Sequence, residues 1–314
     1  MKSQIPSLEY PFELKINPHI DSLEQKVTLW IDEYSCLPES LRKRYKKSNF
    51  GKFTARFFPN SSPELLIIIS RWALAAFAFD DLYGSCPLHE LKIESQKVID
   101  ILNGDSLFSD ENEIFKQFRI ARDELLPIVT PEWMERFIND HHSWFEGMFE
   151  ETVYSYKESI TYPSLAEYIS LREKVSGGKI LCDFLEISTD FIMSDNDFSK
   201  PITQKVRQLL TLMISWFNDI HSVSWELERN EATNLVLVIK NERKCSMEAA
   251  YEEAIQIHNN DLNEFIKITE SLPDFGKYND DFKRYIHNAE LFLKGQELWY
   301  FGGTERYSQS EILI

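Results

Sequence analysis

The sequence predicts an all-α fold, read as one domain over 1–314, and three observations carry that reading. Glycine and proline are scarce, 10 and 12 in 314 residues, too few for the many tight turns of a β-rich chain. Apolar residues recur at helical spacing, as in Met247, Tyr251, Ile255, Leu262, Phe265 and Ile266. Helix-start signals stand in front of such segments. Ser62-Pro63-Glu64 offers an N-cap, a proline at the first helical position and an acid in the first turn. Ser164 with Glu167 has the spacing of a capping box. No repeat, linker or low-complexity segment divides the chain.

The elements follow in order. After Ser62 comes the apolar run Leu65 to Phe79, too continuous for a surface helix and therefore expected to be buried on most sides. It is expected to end at Asp80-Asp81, with Gly84 and Pro87 as stops. The helix opened by Ser164 carries Tyr168, Leu171, Arg172 and Val175, and Gly177-Gly178 breaks or kinks it. A third long helix should run from about Lys205 to Glu228 with Leu209, Leu212, Met213, Trp216 and Ile220 on its apolar side. Residues 234–240 would read as a strand on β-branched content alone. They have no evident strand partner, so a buried helix is expected there.

Composition narrows the function. A hydrophobic fraction of 43% and an aromatic fraction of 13%, with 22 Phe, can fill a large core or line an apolar cavity. The formal charge of −17 argues against binding nucleic acid or an anionic membrane by bulk attraction. A polyanionic substrate would need a cation or a local basic cluster to receive it. Cys36, Cys86, Cys182 and Cys245 are scattered without a metal or disulfide spacing and read as reduced thiols. The first twelve residues have no apolar signal core, and Leu65 to Phe79, interrupted by Ser70 and Arg71, is too short to span a bilayer. A cytoplasmic protein without membrane insertion is expected.

The residues that carry chemistry lie in three places. Within Asn218-Asp219-Ile220-His221-Ser222-Val223-Ser224-Trp225-Glu226, an amide, a hydroxyl and a carboxylate stand four residues apart. A helix turns about 100° per residue, so each step of four drifts by about 40° and the three oxygens share one stripe. Hard oxygen ligands of mixed charge are what Mg²⁺ prefers. His221 points about 100° from Ser222 and is given a structural role. Asp80-Asp81 offers a second metal-holding edge, Asp80 as ligand and Asp81 oriented by an arginine. Arg306-Tyr307 supplies a fixed cation and a phenol for phosphate oxygens.

Together these elements resemble the class I terpene synthases of the microbial, single-domain type. There an aspartate-rich motif faces an Asn-Asp-x-x-Ser-x-x-x-Glu motif across a helical barrel. The resemblance covers nearly the whole chain: Tyr10-Pro11-Phe12, Ile16-Asn17-Pro18-His19, Phe79-Asp80-Asp81, the Asn/Ser/Glu triad, Asn234-Leu235-Val236, Trp299 and Arg306-Tyr307. The family's diphosphate-sensing arginine stands 46 positions before the triad asparagine, and that position holds Arg172.

The resemblance implies a helical bundle around a central apolar cavity and three Mg²⁺ ions, two held by Asp80 and the third by Asn218, Ser222 and Glu226. It implies that Arg172, Asn218, Arg306 and Tyr307 contact the substrate diphosphate, and that Ser176 acts through its backbone carbonyl. Phe53, Phe57, Phe77 and Trp299, with Trp216 as a weaker candidate, would line the cavity. The implied activity is ionisation of a prenyl diphosphate and cyclisation of the cation, farnesyl diphosphate first and geranylgeranyl diphosphate next, in a monomer or homodimer. A chain-elongating prenyl diphosphate synthase and a non-catalytic helical interaction protein are the alternatives.

Three departures from the family pattern stand out. Tyr83, Gly84 and Ser85 occupy the region where a further acid usually follows the Asp pair. Trp225 replaces the basic residue that often precedes the triad glutamate. Val175 and Ser176 stand where a linker Asp and effector Gly usually follow the sensor arginine.

Overall fold

A computed structural model describes residues 8–105, 112–154 and 161–306. The described chain is helical throughout, with no strand among its residues. The order is α1 (Ile20–Glu33), α2 (Glu39–Ser48), α3 (Phe50–Phe57), α4 (Pro63–Tyr83), α5 (Leu88–Asn103), α6 (Glu113–Leu125) and α7 (Pro131–Glu151). There follow α8 (Leu165–Val175), α9 (Gly178–Ile187), the short α10 (Asp195–Phe198), α11 (Pro201–Glu228), α12 (Leu235–Arg243), α13 (Met247–Thr269) and α14 (Asn279–Gly302). No described helix is long and apolar enough to cross a membrane.

The start signals act as their chemistry predicts. Ser62 Oγ accepts from the Leu65 N–H at 3.2 Å ahead of Pro63, so α4 begins with a satisfied donor. Ser164 and Glu167 close a reciprocal capping box at the head of α8. Asn234 caps α12 by accepting from the Val236 and Leu237 N–H groups, so 234–240 is indeed helical rather than extended. Gly177, at φ +67°, takes the left-handed turn between α8 and α9 that a side chain would resist.

α4 ends where the stop signal predicts, at Tyr83 with Gly84 as its C-cap, and Asp80 and Asp81 lie in its last turn. Its polar interruptions are internally satisfied. Ser70 Oγ lies 2.6 Å from Thr54 Oγ1 on α3, and Arg71 donates to Gln117 Oε1 at 2.7 Å on α6.

Helices α3, α4, α7, α8, α9, α11 and α14 surround one cavity of about 390 Å³. α14 reaches α3 unusually closely: a Cβ at Gly295 would lie 2.0 Å from the Arg56 carbonyl oxygen. Arg56 Nη1 meanwhile donates to the Leu298 carbonyl at 2.8 Å, fastening the same pair of helices. That approach brings Phe53 and Phe57 against Trp299, with ring centroids 5.3 and 6.5 Å apart. Gly295→Ala is therefore expected to push α14 outward and cost about 1–3 kcal/mol of stability, the usual scale of overpacking. Urea unfolding reads this directly, and an unchanged midpoint would rule out the tight α3–α14 approach.

Candidate active site

The cavity is polar at its mouth and aromatic below. Asp80, Asp81, Glu151, Arg172, Asn218, Glu226, Glu231 and Arg306 face the mouth. Phe53, Phe57, Trp72, Phe77, Trp144 and Trp299 wall the chamber beneath. All four expected cavity aromatics are thus in place, and Trp72 and Trp144 join them. Trp216 is a correction: it is fully buried away from the cavity and donates its indole N–H to Asp261 Oδ2 at 2.8 Å.

The acidic wall comes from the last turn of α4. Asp81 accepts from Tyr45 OH at 2.6 Å, from Arg306 Nη2 at 3.0 Å and from Arg44 Nη2 at 3.3 Å. Burial pushes its carboxyl up, but Arg306, Tyr45 and Arg44 outweigh that and hold it below the usual carboxylate range. Asp81 is therefore a fixed anion that positions arginines. Asp80 has the opposite character. Enclosure by the cavity walls, with Asp81 and Glu151 close by, pushes its carboxyl up to about 7. Its carboxylate is open to the cavity.

The facing wall comes from α11. Asn218 and Glu226 line the cavity, while Ser222 sits just behind them and donates to Glu226 Oε1 at 2.8 Å. Asn234 Nδ2 donates to Glu226 Oε2 in a short hydrogen bond. Burial, reinforced by the nearby Asp219 and Glu231 carboxylates, pushes the Glu226 carboxyl up to about 8. Arg172 Nη2 donates to Asn218 Oδ1 at 2.7 Å and lies 2.7 Å from Asp219 Oδ1. Asn218 Nδ2 donates to Tyr300 OH at 2.5 Å, so the amide is held at both ends with its oxygen toward Arg172. Burial disfavours the charged form of Arg172, yet Asp219 and the surrounding anions keep it firmly protonated.

His221 has the structural role expected of it. Its ring stacks on Phe217 at 4.3 Å and its Nδ1 lies 2.7 Å from the Phe217 carbonyl. Ser176 closes α8 on the cavity wall, its N–H donating to the Arg172 carbonyl at 3.3 Å. Tyr307 lies outside the described residues, and Arg306 stands beside Phe77, 4.9 Å from the ring centroid.

Several participants escaped sequence reading. Asp219 was quoted only as part of a motif, yet it receives Tyr168 OH at 2.6 Å and the Leu235 N–H at 3.0 Å besides pairing with Arg172. Adjacency to Asn218 was its one signal. Arg44, Tyr45, Glu151 and Tyr300 carry none, because nothing in local spacing marks them.

The donors suit a hard divalent cation. Among the described residues no cluster of three or more His, Cys, Asp or Glu could hold a metal alone. The available set is instead oxygen-only and mixed: amide, hydroxyl and carboxylate on α11, and the Asp80 carboxylate on α4. Glu226, buried and raised, is an anion whose desolvation a divalent cation would offset.

Comparison with known proteins agrees with this geometry. A family model described as terpene synthase family 2, C-terminal metal binding, matches residues 71–264. The chain is 29% identical over 317 residues to germacrene A synthase of Nostoc punctiforme, covering 98% of this chain and 96% of that protein. It is 25% identical to (+)-T-muurolol synthase of Roseiflexus castenholzii, covering 96% and 93% respectively. In shape it matches 2-methylisoborneol synthase from Streptomyces coelicolor A3(2), solved with Mg²⁺ and 2-fluoroneryl diphosphate. The TM-score there is 0.84 at 18% identity, covering 98% of each chain. The structure of a-eudesmol synthase matches at TM-score 0.81 and 20% identity, covering 93% of this chain and 98% of that one. With the family model spanning more than half of it, the chain belongs to terpene synthase family 2 and is a terpene synthase of the all-α class I fold, with a metal-binding C-terminal region.

Proposed function

We propose that the enzyme is a Mg²⁺-dependent sesquiterpene synthase: it ionises farnesyl diphosphate and cyclises the resulting cation to a hydrocarbon or alcohol, releasing diphosphate. The observation that carries this reading is the division of one cavity into a mouth of opposed oxygen donors and arginines and a floor of aromatic rings. The T-muurolol relative and a 4-epi-cubebol synthase of Streptosporangium roseum, 21% identical, are both named as cyclising (2E,6E)-farnesyl diphosphate. That common substrate supports C15, while their different products leave the skeleton to the contour of this cavity.

In this reading Asp80 on one side and Asn218, Ser222 and Glu226 on the other hold three Mg²⁺ ions. Those ions would supply neutralisation of the diphosphate and stabilisation of the charge growing on it as the C–O bond breaks. The protein's own groups do the rest. Arg172, Arg306 and Tyr307 hydrogen-bond the departing diphosphate, and Asp81 fixes Arg306 where it is needed. Phe53, Phe57, Phe77 and Trp299 present ring faces to the cation, each worth about 0.5–2 kcal/mol. Two polar residues on the apolar wall each spend a donor on a backbone carbonyl. Ser215 Oγ donates to the Thr211 carbonyl at 2.6 Å and Gln296 Nε2 to the Ile214 carbonyl at 2.8 Å. With no base committed there, the released diphosphate takes the final proton.

Parallel incubation with C10, C15 and C20 prenyl diphosphates plus Mg²⁺, read by gas chromatography–mass spectrometry, should give product chiefly from C15. Product only after adding a second, homoallylic substrate would instead favour chain elongation. Asn218→Ala and Asp80→Asn should each lower turnover on the order of hundredfold or more, the scale on which single electrostatic contacts act in catalysis. Far-ultraviolet circular dichroism should show the fold intact, and retained turnover would remove these residues from their roles.

The raised carboxyls set a pH dependence for metal binding. Asp80 and Glu226 hold protons near neutrality, at about 7 and about 8, and Mg²⁺ binds only the anions. Affinity for Mg²⁺ should therefore climb as pH rises from 6 to 8 and level off above both values, with protons released to the buffer. Titration calorimetry in buffers of different ionisation enthalpy measures this. A flat profile would mean that these two carboxyls do not ligate the metal.

A further inference from the structure

The basic residue expected before Glu226 is replaced by Trp225, which costs the site one cation on sequence grounds. The structure brings a cation back to that place from elsewhere in the chain. Arg44, on α2, lies over the Trp225 ring with its guanidinium carbon 4.5 Å from the ring centroid. Its Nη2 donates to Asp81 at the same time, 3.3 Å from Oδ1. Trp225 and Asp81 both line the cavity mouth, on opposite metal-holding walls, and Arg44 touches both.

The contacts around Asp81 show how Arg44 is held. Asp81 is one carboxylate shared by two guanidiniums, Arg44 and Arg306, and by the Tyr45 hydroxyl, so two cations stand side by side at the edge of the mouth. Arg229, 5.4 Å from the Trp225 ring centroid, is engaged differently, its Nε 2.5 Å from Glu231 Oε1. Arg44 is only 24% exposed at its side chain, so its charge is little screened by solvent. Burial, then the nearby Arg306, work against its protonated form, as expected where cations converge before an anion arrives.

We propose that Arg44 is the substrate-binding cation that the Trp225 position lacks: seated on the indole and anchored by Asp81, it receives the diphosphate alongside Arg306. The indole holds the guanidinium by cation–π attraction, and the planar fork keeps donors available for phosphate oxygens. The role assigned to Arg44 rests on the diphosphate chemistry proposed above, so the experiment separates the two.

Inorganic diphosphate with Mg²⁺ is the probe, followed by thermal melting and calorimetry. If wild-type protein is not stabilised, the diphosphate reading itself fails and Arg44 loses its assigned role with it. Given wild-type binding, Arg44→Gln should weaken diphosphate affinity and raise KM for farnesyl diphosphate roughly tenfold to hundredfold, the scale of one charge-assisted hydrogen bond. Adding Trp225→Lys to Arg44→Gln moves the positive charge to position 225 and should recover most of that loss. A role confined to holding Asp81 in place would not be rescued in this way. Wild-type affinity in Arg44→Gln, or no recovery in the double variant, overturns the inference while leaving the proposed function standing. Should Arg44→Gln fail to fold, Trp225→Leu removes only the seat and is expected to weaken diphosphate binding severalfold. Unchanged binding there also overturns the inference.

Discussion

The buried pair of Arg172 and Asp219 is the constraint around which the mouth of the cavity is organised. Asp219 has no exposure, and groups from two other helices meet on it: Tyr168 and Arg172 from α8, and the Leu235 N–H at the start of α12. Asn234 adds a bond to the Asp219 carbonyl and another to Glu226. Two charges in such a place are expensive to desolvate, and removing either one strands the other at a cost of about 3–5 kcal/mol. The pair therefore fixes α8, α11 and α12 in one relative position. Arg172 is thereby held against Asn218 Oδ1, and Asn234 against Glu226. The triad is aligned by this neighbouring network as much as by helical periodicity.

A strongly acidic chain thus gathers cations at one cavity mouth. The chain as a whole has a net charge of −17, while Arg172, Arg229 and Arg306 line the mouth and Arg44 packs on Trp225 beside it, against carboxylates of two kinds. Asp81 and Asp219 are both committed to arginines; the arginines and Tyr45 hold Asp81 below the usual carboxylate range, whereas burial pushes Asp219 up despite Arg172. Asp80 and Glu226 make no ion pair with an arginine among the described residues, and enclosure pushes both upward. The carboxylates that orient arginines thus differ from the other two in their partners, although all four belong to just two short sequence motifs.

Much of this was legible in the sequence because it is local. The caps at Ser62, Ser164 and Asn234 depend on a few neighbouring residues, and the Asn218–Ser222–Glu226 stripe follows from helical geometry alone. Arg172 was singled out by its spacing from Asn218, and the two meet in a hydrogen bond because α8 and α11 are brought together through the Gly177 turn and α9. Other features were not legible for an equally physical reason. Arg44, Tyr45 and Tyr300 reach the site only through the packing of α2 and α14 on the ends of α4 and α11, which no local pattern encodes. Trp216 was misassigned because an aromatic on an apolar helical face looks the same whether it meets a cavity or a core. The end of α4 was legible too, because Gly84 stands as a stop just past the two acids and caps the helix there.

The same packing decides which part of the cavity meets charge and which meets hydrocarbon. α11 runs along both, from Ile214 and Ser215 in the chamber to Asn218 and Glu226 at the mouth, a span of about 18 Å at 1.5 Å per residue. Opposite it, α14 changes character over a few residues. Gly295 allows the close contact with α3, Gln296 turns its amide to a backbone carbonyl, Trp299 closes the aromatic cluster and Tyr300 holds Asn218. A disturbance of the α3–α14 contact would therefore move ring faces and the Asn218 amide together. In this architecture the contour of the aromatic chamber and the alignment of the Asn218 amide are properties of one helix interface, not of two independent sites.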